Sequence, residues 1–167
     1  MKKLAIVGLL ALGSFLAGCG ATRTLTTAAA GGNWEVSFAG PPANETLFNF
    51  ETTFAVNAGG AIQITSLSFL TASPDSCFPV AGETASGTFD VTSLPSNPQA
   101  TANVTFSVKN SGNALSMTGT GTGVTNTTTL ATTWKAVTGT WTLTGSSSCT
   151  GSGTFTMCPN SLTCSAT

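Results

Sequence analysis

The chain has 167 residues with five Lys and Arg against six Asp and Glu, no His, no Tyr and a formal net charge of −1. So few cations cannot assemble a basic patch for nucleic acid, and the missing imidazole removes the commonest general base, the commonest metal ligand and every Ser-His-Asp or Cys-His arrangement. The six carboxylates show no spacing that forces two together, so the residues point to a non-enzymatic protein with no catalytic residue, no metal and no cofactor.

At the amino end, Lys2 and Lys3 precede an apolar run from Leu4 to Ala17, broken by Gly8, Gly13 and Ser14. This is the layout of a secretory signal peptide, too short for a membrane span, which takes about 20 apolar residues. The run ends in Leu16-Ala17-Gly18-Cys19, which resembles the lipobox of bacterial lipoproteins at all four positions. The resemblance implies cleavage before Cys19, a diacylglyceryl thioether on its sulfur and an acyl chain such as palmitate on its new amino group. Two or three chains would hold the protein permanently, where one acyl chain alone binds reversibly at about 0.8 kcal/mol per buried CH₂. Gly20, in place of Asp after the cysteine, resembles the default for sorting to the outer membrane. The expected organisation is therefore a signal peptide at 1–18, a lipidated cysteine and flexible tether at 19–32, and one all-β domain at 33–167. The mature body keeps Arg23, Lys109 and Lys135 against Glu35, Glu45, Glu51, Asp75, Glu83 and Asp90, which makes it mildly acidic.

Residues 20–32 are small and of low complexity, which suits a tether. A period-two pattern then recurs to the end of the chain, as expected of half-buried strands. Residues 33–39 place Trp34, Val36 and Phe38 on one face, and residues 47–57 do the same with Phe48, Phe50, Phe54 and Val56. Asn57-Ala58-Gly59-Gly60 has the chemistry of a hairpin turn. In residues 61–70, Ile62 and Ile64 fall out of phase with Leu67 and Phe69, and a β-bulge near Thr65-Ser66 would restore the facing. A long loop at 71–83 carries Pro74, Cys77, Pro79 and Gly82.

Strands are expected again at 84–92 with Gly87, Phe89 and Val91 on one face, and at 100–109 with Ala102, Val104, Phe106 and Val108. After the turn at Asn110-Ser111-Gly112-Asn113, the residues Leu115, Met117, Gly119 and Gly121 share a face. Residues 123–134 are irregular and read either as a long loop or as an extension of that hairpin. Val137, Gly139, Trp141 and Leu143 mark a seventh strand, and Gly153, Phe155 and Met157 an eighth. Eight strands in sequence order, each with one apolar face, predict an antiparallel meander that closes into a lipocalin-like up-and-down barrel, with a β-sandwich as the alternative.

With Cys19 assigned to lipid, Cys77, Cys149, Cys158 and Cys164 remain, and in an exported chain they are expected to form disulfides in one of three connectivities. Strand parity puts the connections that carry Cys77 and Cys149 at the same end of a meander. That opens the pairing Cys77–Cys149 with Cys158–Cys164. No metal reading suits these spacings.

The glycines of Thr118-Gly119-Thr120-Gly121-Thr122-Gly123 lack the helix start and Lys of a phosphate loop and are expected to make room for a neighbouring Trp or Phe. The Thr-x-Thr rows resemble the hydroxyl arrays of ice-binding β proteins, but alternation alone puts such rows on any wet strand face. If the barrel holds a small apolar or amphipathic ligand, Trp134, Trp141, Phe106 and Met117 are the candidate lining residues, with Trp134 the best candidate for a partly exposed aromatic. Gly32-Asn33-Trp34-Glu35-Val36, Gly139-Thr140-Trp141-Thr142, Cys149 and Gly153-Thr154-Phe155-Thr156 together resemble small Thr/Gly-rich bacterial lipoproteins of uncharacterised role. That resemblance implies no activity. The expected function is that of an envelope-anchored binder, or alternatively of a structural or adhesive protein with a filled barrel. The expected partners are a membrane and a small apolar ligand, and no nucleic acid.

Overall fold

The computed structural model describes residues 30–39, 49–69, 77–78, 83–93, 97–110, 112–146, 148–160 and 164. The expected signal peptide, Cys19, most of the expected tether and Phe48 lie outside these residues. Eight strands follow one another: β1 (Gly32–Ala39), β2 (Phe50–Val56), β3 (Ala61–Phe69), β4 (Thr84–Val91), β5 (Gln99–Lys109), β6 (Ala114–Thr125), β7 (Thr132–Thr144) and β8 (Gly151–Pro159). Each pairs antiparallel with the next, and β8 returns to β1, so the sheet is a closed up-and-down barrel. Closure leaves no permanent sheet edge at the first and last strands, which is the usual liability of a meander.

Alternation decides what goes inside. In β5, Ala102, Val104, Phe106 and Val108 are buried while Asn103, Thr105 and Lys109 face solvent. Two bulges keep that alternation in step with the barrel. Thr53 pairs with Ser66 and Phe54 with Ile64, so Thr65 is the extra residue, and Ile64, Leu67 and Phe69 all pack against the core. The Thr65 hydroxyl donates to Thr53 O at 3.1 Å and buried Thr52 donates to Ser66 O at 3.0 Å, which satisfies carbonyls on both sides of the bulge. A second bulge sets Thr122 opposite Ala136 and Gly123 opposite Trp134, leaving Lys135 as the extra residue. The irregular stretch 123–134 is therefore an extension of the β6–β7 hairpin and not a loop.

The Asn57 turn closes as its chemistry dictates: its side-chain oxygen accepts from Gly59 N at 2.9 Å and Ala61 N at 3.0 Å, and Gly60 supplies the positive φ of 80°. The tether also ends sooner than its composition indicates. Ala30 is fully buried, and its carbonyl accepts the Trp34 indole N–H at 2.9 Å.

Both disulfides form as strand parity allows, Cys77 with Cys149 and Cys158 with Cys164, each with Cα atoms 5.6 Å apart. The first joins the β3–β4 and β7–β8 connections at what we call the upper end. There the Asn110 and Asn113 side chains both donate to Cys77 O at 2.6 Å. Phe78, also buried, stacks on Phe69 with ring centroids 5.1 Å apart and covers this end of the core. Because the two bridges close loops of very different length, with sequence separations of 72 and 6, they constrain the unfolded chain unequally. Replacing Cys77 and Cys149 by Ala should lower the unfolding free energy by about 4 kcal/mol in urea titrations, against about 2 kcal/mol for the Cys158 and Cys164 pair. Equal losses would mean that loop length does not set their contribution.

Candidate functional site

The barrel interior is where the sequence places a ligand, and three of its four candidate lining residues sit side by side there. Phe106 is registered against Met117, and Met117 against Trp141, across β5, β6 and β7. Gly87 and Gly153 flank this row on β4 and β8. Trp134 lies apart, toward the lower end, edge-on to Phe89 with centroids 4.7 Å apart. All four candidates are buried, at 4 % exposure for Trp134, 2 % for Phe106 and 1 % each for Met117 and Trp141. The expectation of a partly exposed Trp134 is thus wrong. The Lys135 bulge turns that indole inward, which a strict period of two does not reveal.

Rings from opposite walls meet across the lumen. Phe50 of β2 stacks on Phe106 of β5 at 5.6 Å and Trp34 of β1 meets Phe89 of β4 at 6.4 Å, while within one wall Phe38 of β1 reaches past β8 to Trp141 of β7 at 5.7 Å. Phe38 also contacts Phe50 at 5.9 Å, which links two of these pairs into one aromatic column. The Trp141 indole donates to Ala39 O at 3.2 Å, so its polar atom is satisfied within the wall. An eight-stranded barrel is just wide enough for side chains to fill, and here aromatic rings in mutual contact occupy it.

The inward glycines make that filling possible. A Cβ on Gly119 would meet Thr138 O and then Phe155, one on Gly153 Ala39 O and then the Trp141 indole, and one on Gly123 Thr133 O and then Trp134. They are room-makers for aromatic rings, as the sequence indicates. The tightest is Gly139, where a Cβ would collide with the backbone at Thr118 and Gly119; Gly121 is looser, with its nearest neighbours, Phe89, Ala102 and Trp134, at 3.4 to 3.6 Å.

At the lower end, β7 and β8 part company below Val137 and Met157, because β8 continues along β1 to set Pro159 opposite Trp34. The parting leaves an open groove of about 460 Å³ in which Asn33, Thr133, Pro159 and Asn160 surround the edges of Trp34 and Trp134. The upper half of the β3–β4 boundary holds a second opening of about 260 Å³ beside Glu83.

One pairing of carboxylates escapes the sequence reading. Glu35 of β1 stands directly opposite Glu51 of β2. Both occupy the outer wall, out of phase with the buried Trp34, Val36 and Phe50, so they form no cleft in which one could act as acid and the other as base or nucleophile. Among the described residues no group of three His, Cys, Asp or Glu is placed to hold a metal ion. No family model matches the chain, and neither a curated protein nor a solved structure matches it. The geometry of this chain carries the functional argument by itself.

Gly139→Ala should destabilise the barrel by about 1–3 kcal/mol through overpacking, while Gly121→Ala should lie within about 0.5 kcal/mol of the parent; chemical denaturation of both variants measures this. Since like charges directly opposite are unfavourable, Glu51→Lys should raise stability by about 0.2–1 kcal/mol, with the gain shrinking at high salt. A loss of stability at low salt would show that the two carboxylates do not repel.

Proposed function

We propose that this is a non-enzymatic, lipid-anchored protein of the bacterial cell envelope, in which a filled barrel serves as a rigid body that displays its outer surface. The observation that carries this reading is the contact of aromatic rings across the lumen, Phe50 with Phe106 and Trp34 with Phe89. A small apolar ligand inside the barrel would need the space these rings occupy, so the filled interior favours display over interior binding.

The outer wall supports the same reading. From β5 to β8 the register aligns rows of hydroxyls, such as Thr105, Thr118, Thr140 and Thr154, with their neighbours Ser107, Ser116, Thr142 and Ser152. Such a wall is polar outside and apolar inside, the reverse of a barrel that faces lipid with its exterior. A Ser/Thr exterior keeps a weakly charged domain wetted, and attachment through Cys19 would hold it at a membrane. Both β1 and β8 reach their outer chain ends at the lower rim, so the lower groove would face the membrane and the disulfide-linked upper end would face away.

Native mass spectrometry of the protein from its own host's membranes tests both halves of the proposal. The expected species begins at Cys19, carries two or three acyl chains, gains four hydrogens on full reduction of its two disulfides, and brings no other small molecule with it. A stoichiometric bound ligand would overturn the filled-barrel reading, and an unacylated chain would overturn the anchor.

A further inference from the structure

The eight boundaries of the barrel are not closed to the same degree. β5 pairs with β6 along its whole length, from Gln99 to Lys109, whereas β3 and β4 share two residue pairs, Ala61 with Thr88 and Ile62 with Gly87. Continuing that register would set Ile64 against Ala85 and Ser66 against Glu83. Those residues instead line the 260 Å³ opening, together with Thr65 and Leu67. The ladder stops where the Thr65 bulge bends β3, and a bulge turns a strand away from its neighbour. Above it, the described residues of the two strands make no further ladder pair with each other.

Glu83 adds a second, independent feature. It lies in phase with the inward-facing Ala85, Gly87 and Phe89, and its Oε1 is buried without a hydrogen-bond partner. A buried carboxylate oxygen without a partner carries a desolvation cost that a cation or an N–H donor would relieve. Among the described residues Lys109 and Lys135 are the cations, and neither lines this opening.

We propose that the upper β3–β4 boundary binds an extended, basic segment of a partner protein by strand addition. Open strand edges are recognised by a peptide backbone with alternating donors and acceptors, and alternate side chains supply specificity. The segment pairs with the free edge beside Ile64 to Leu67, lays small apolar residues against Ile64, Leu67 and Ala85, and points one Lys or Arg inward to Glu83. The site lies in the half of the barrel away from both chain ends, where an anchored domain is accessible. The inference rests on the display reading in that the barrel acts through its wall and not its lumen.

The test uses the folded protein and a short capped peptide of alternating Val and Thr whose central Val is replaced by Lys, with a second peptide carrying Glu at that position. NMR hydrogen exchange should show the Lys peptide protecting the amides of Ile64 to Leu67 and Thr84 to Ser86, with the Glu peptide binding at least about tenfold more weakly. Glu83→Gln should remove the difference between the peptides while leaving the protein folded. Equal binding of the two peptides, protection elsewhere on the barrel, or no protection at millimolar peptide would overturn the proposal. So would concentration-dependent self-association of Glu83→Gln without any peptide effect, which would assign the inward carboxylate to guarding the edge against a second copy. A co-purified lumen ligand, by contrast, would overturn the display reading and leave these amide measurements interpretable.

Discussion

The width of an eight-stranded barrel is the constraint on which the rest of this structure depends. At that width inward side chains from facing walls meet, so several of the largest rings need a glycine beside them. Trp141 needs Gly153, Phe155 needs Gly119, and Trp134 needs Gly123. The abundance of glycine in the last third of the chain is therefore the complement of its Trp and Phe residues. Neither set makes sense alone. The same tightness leaves the interior without an evident role for the hydroxyls that dominate the composition, and they line the outside instead.

Much of this is legible in the sequence because the signal is local. Period-two alternation marks all eight strands, and the phase slip between Ile64 and Leu67 is enough to place a bulge at Thr65. Counting strands leaves open the cysteine pairing that forms, since parity decides which connections share an end. What escapes is set by register between strands. The second bulge, at Lys135, produces the same kind of slip between Trp134 and Val137, but the Thr-rich stretch before Trp134 offers no apolar alternation to set against Val137, Trp141 and Leu143. Glu35 and Glu51 face each other because of how β1 and β2 align, and their sequence spacing of sixteen positions carries no trace of that. The incomplete boundary between β3 and β4 is likewise invisible, since the phase slip in β3 marks a bulge without saying which neighbouring strand loses its pairs there.

The distribution of order around the barrel follows from these details. The β5 to β8 wall is built of long strands paired over most of their length, with flat Thr and Gly rows that allow close backbone approach. The opposite wall is built of shorter strands and holds Glu83, whose Oε1 is buried without a hydrogen-bond partner. Local opening is expected to be cheaper where ladder bonds are few and packing is partial, so the β3–β4 side is the compliant side of an otherwise stiff cylinder. The Cys77–Cys149 bridge spans from the compliant side to the stiff one and limits how far the first can move.

The closing ladder between β1 and β8 also governs the order in which this protein can come into being. It matches Trp34 with Pro159 and Phe38 with Phe155, contacts that span nearly the whole domain. A chain that emerges amino end first, from a ribosome or through a membrane pore, therefore exposes one edge of β1 until its last strand arrives. Contacts of such long sequence separation slow folding, because the loop they close must be ordered before they reward it. During that interval the nascent chain is a curling sheet with two sticky margins, and it is the final nine-residue strand that turns it into a protein.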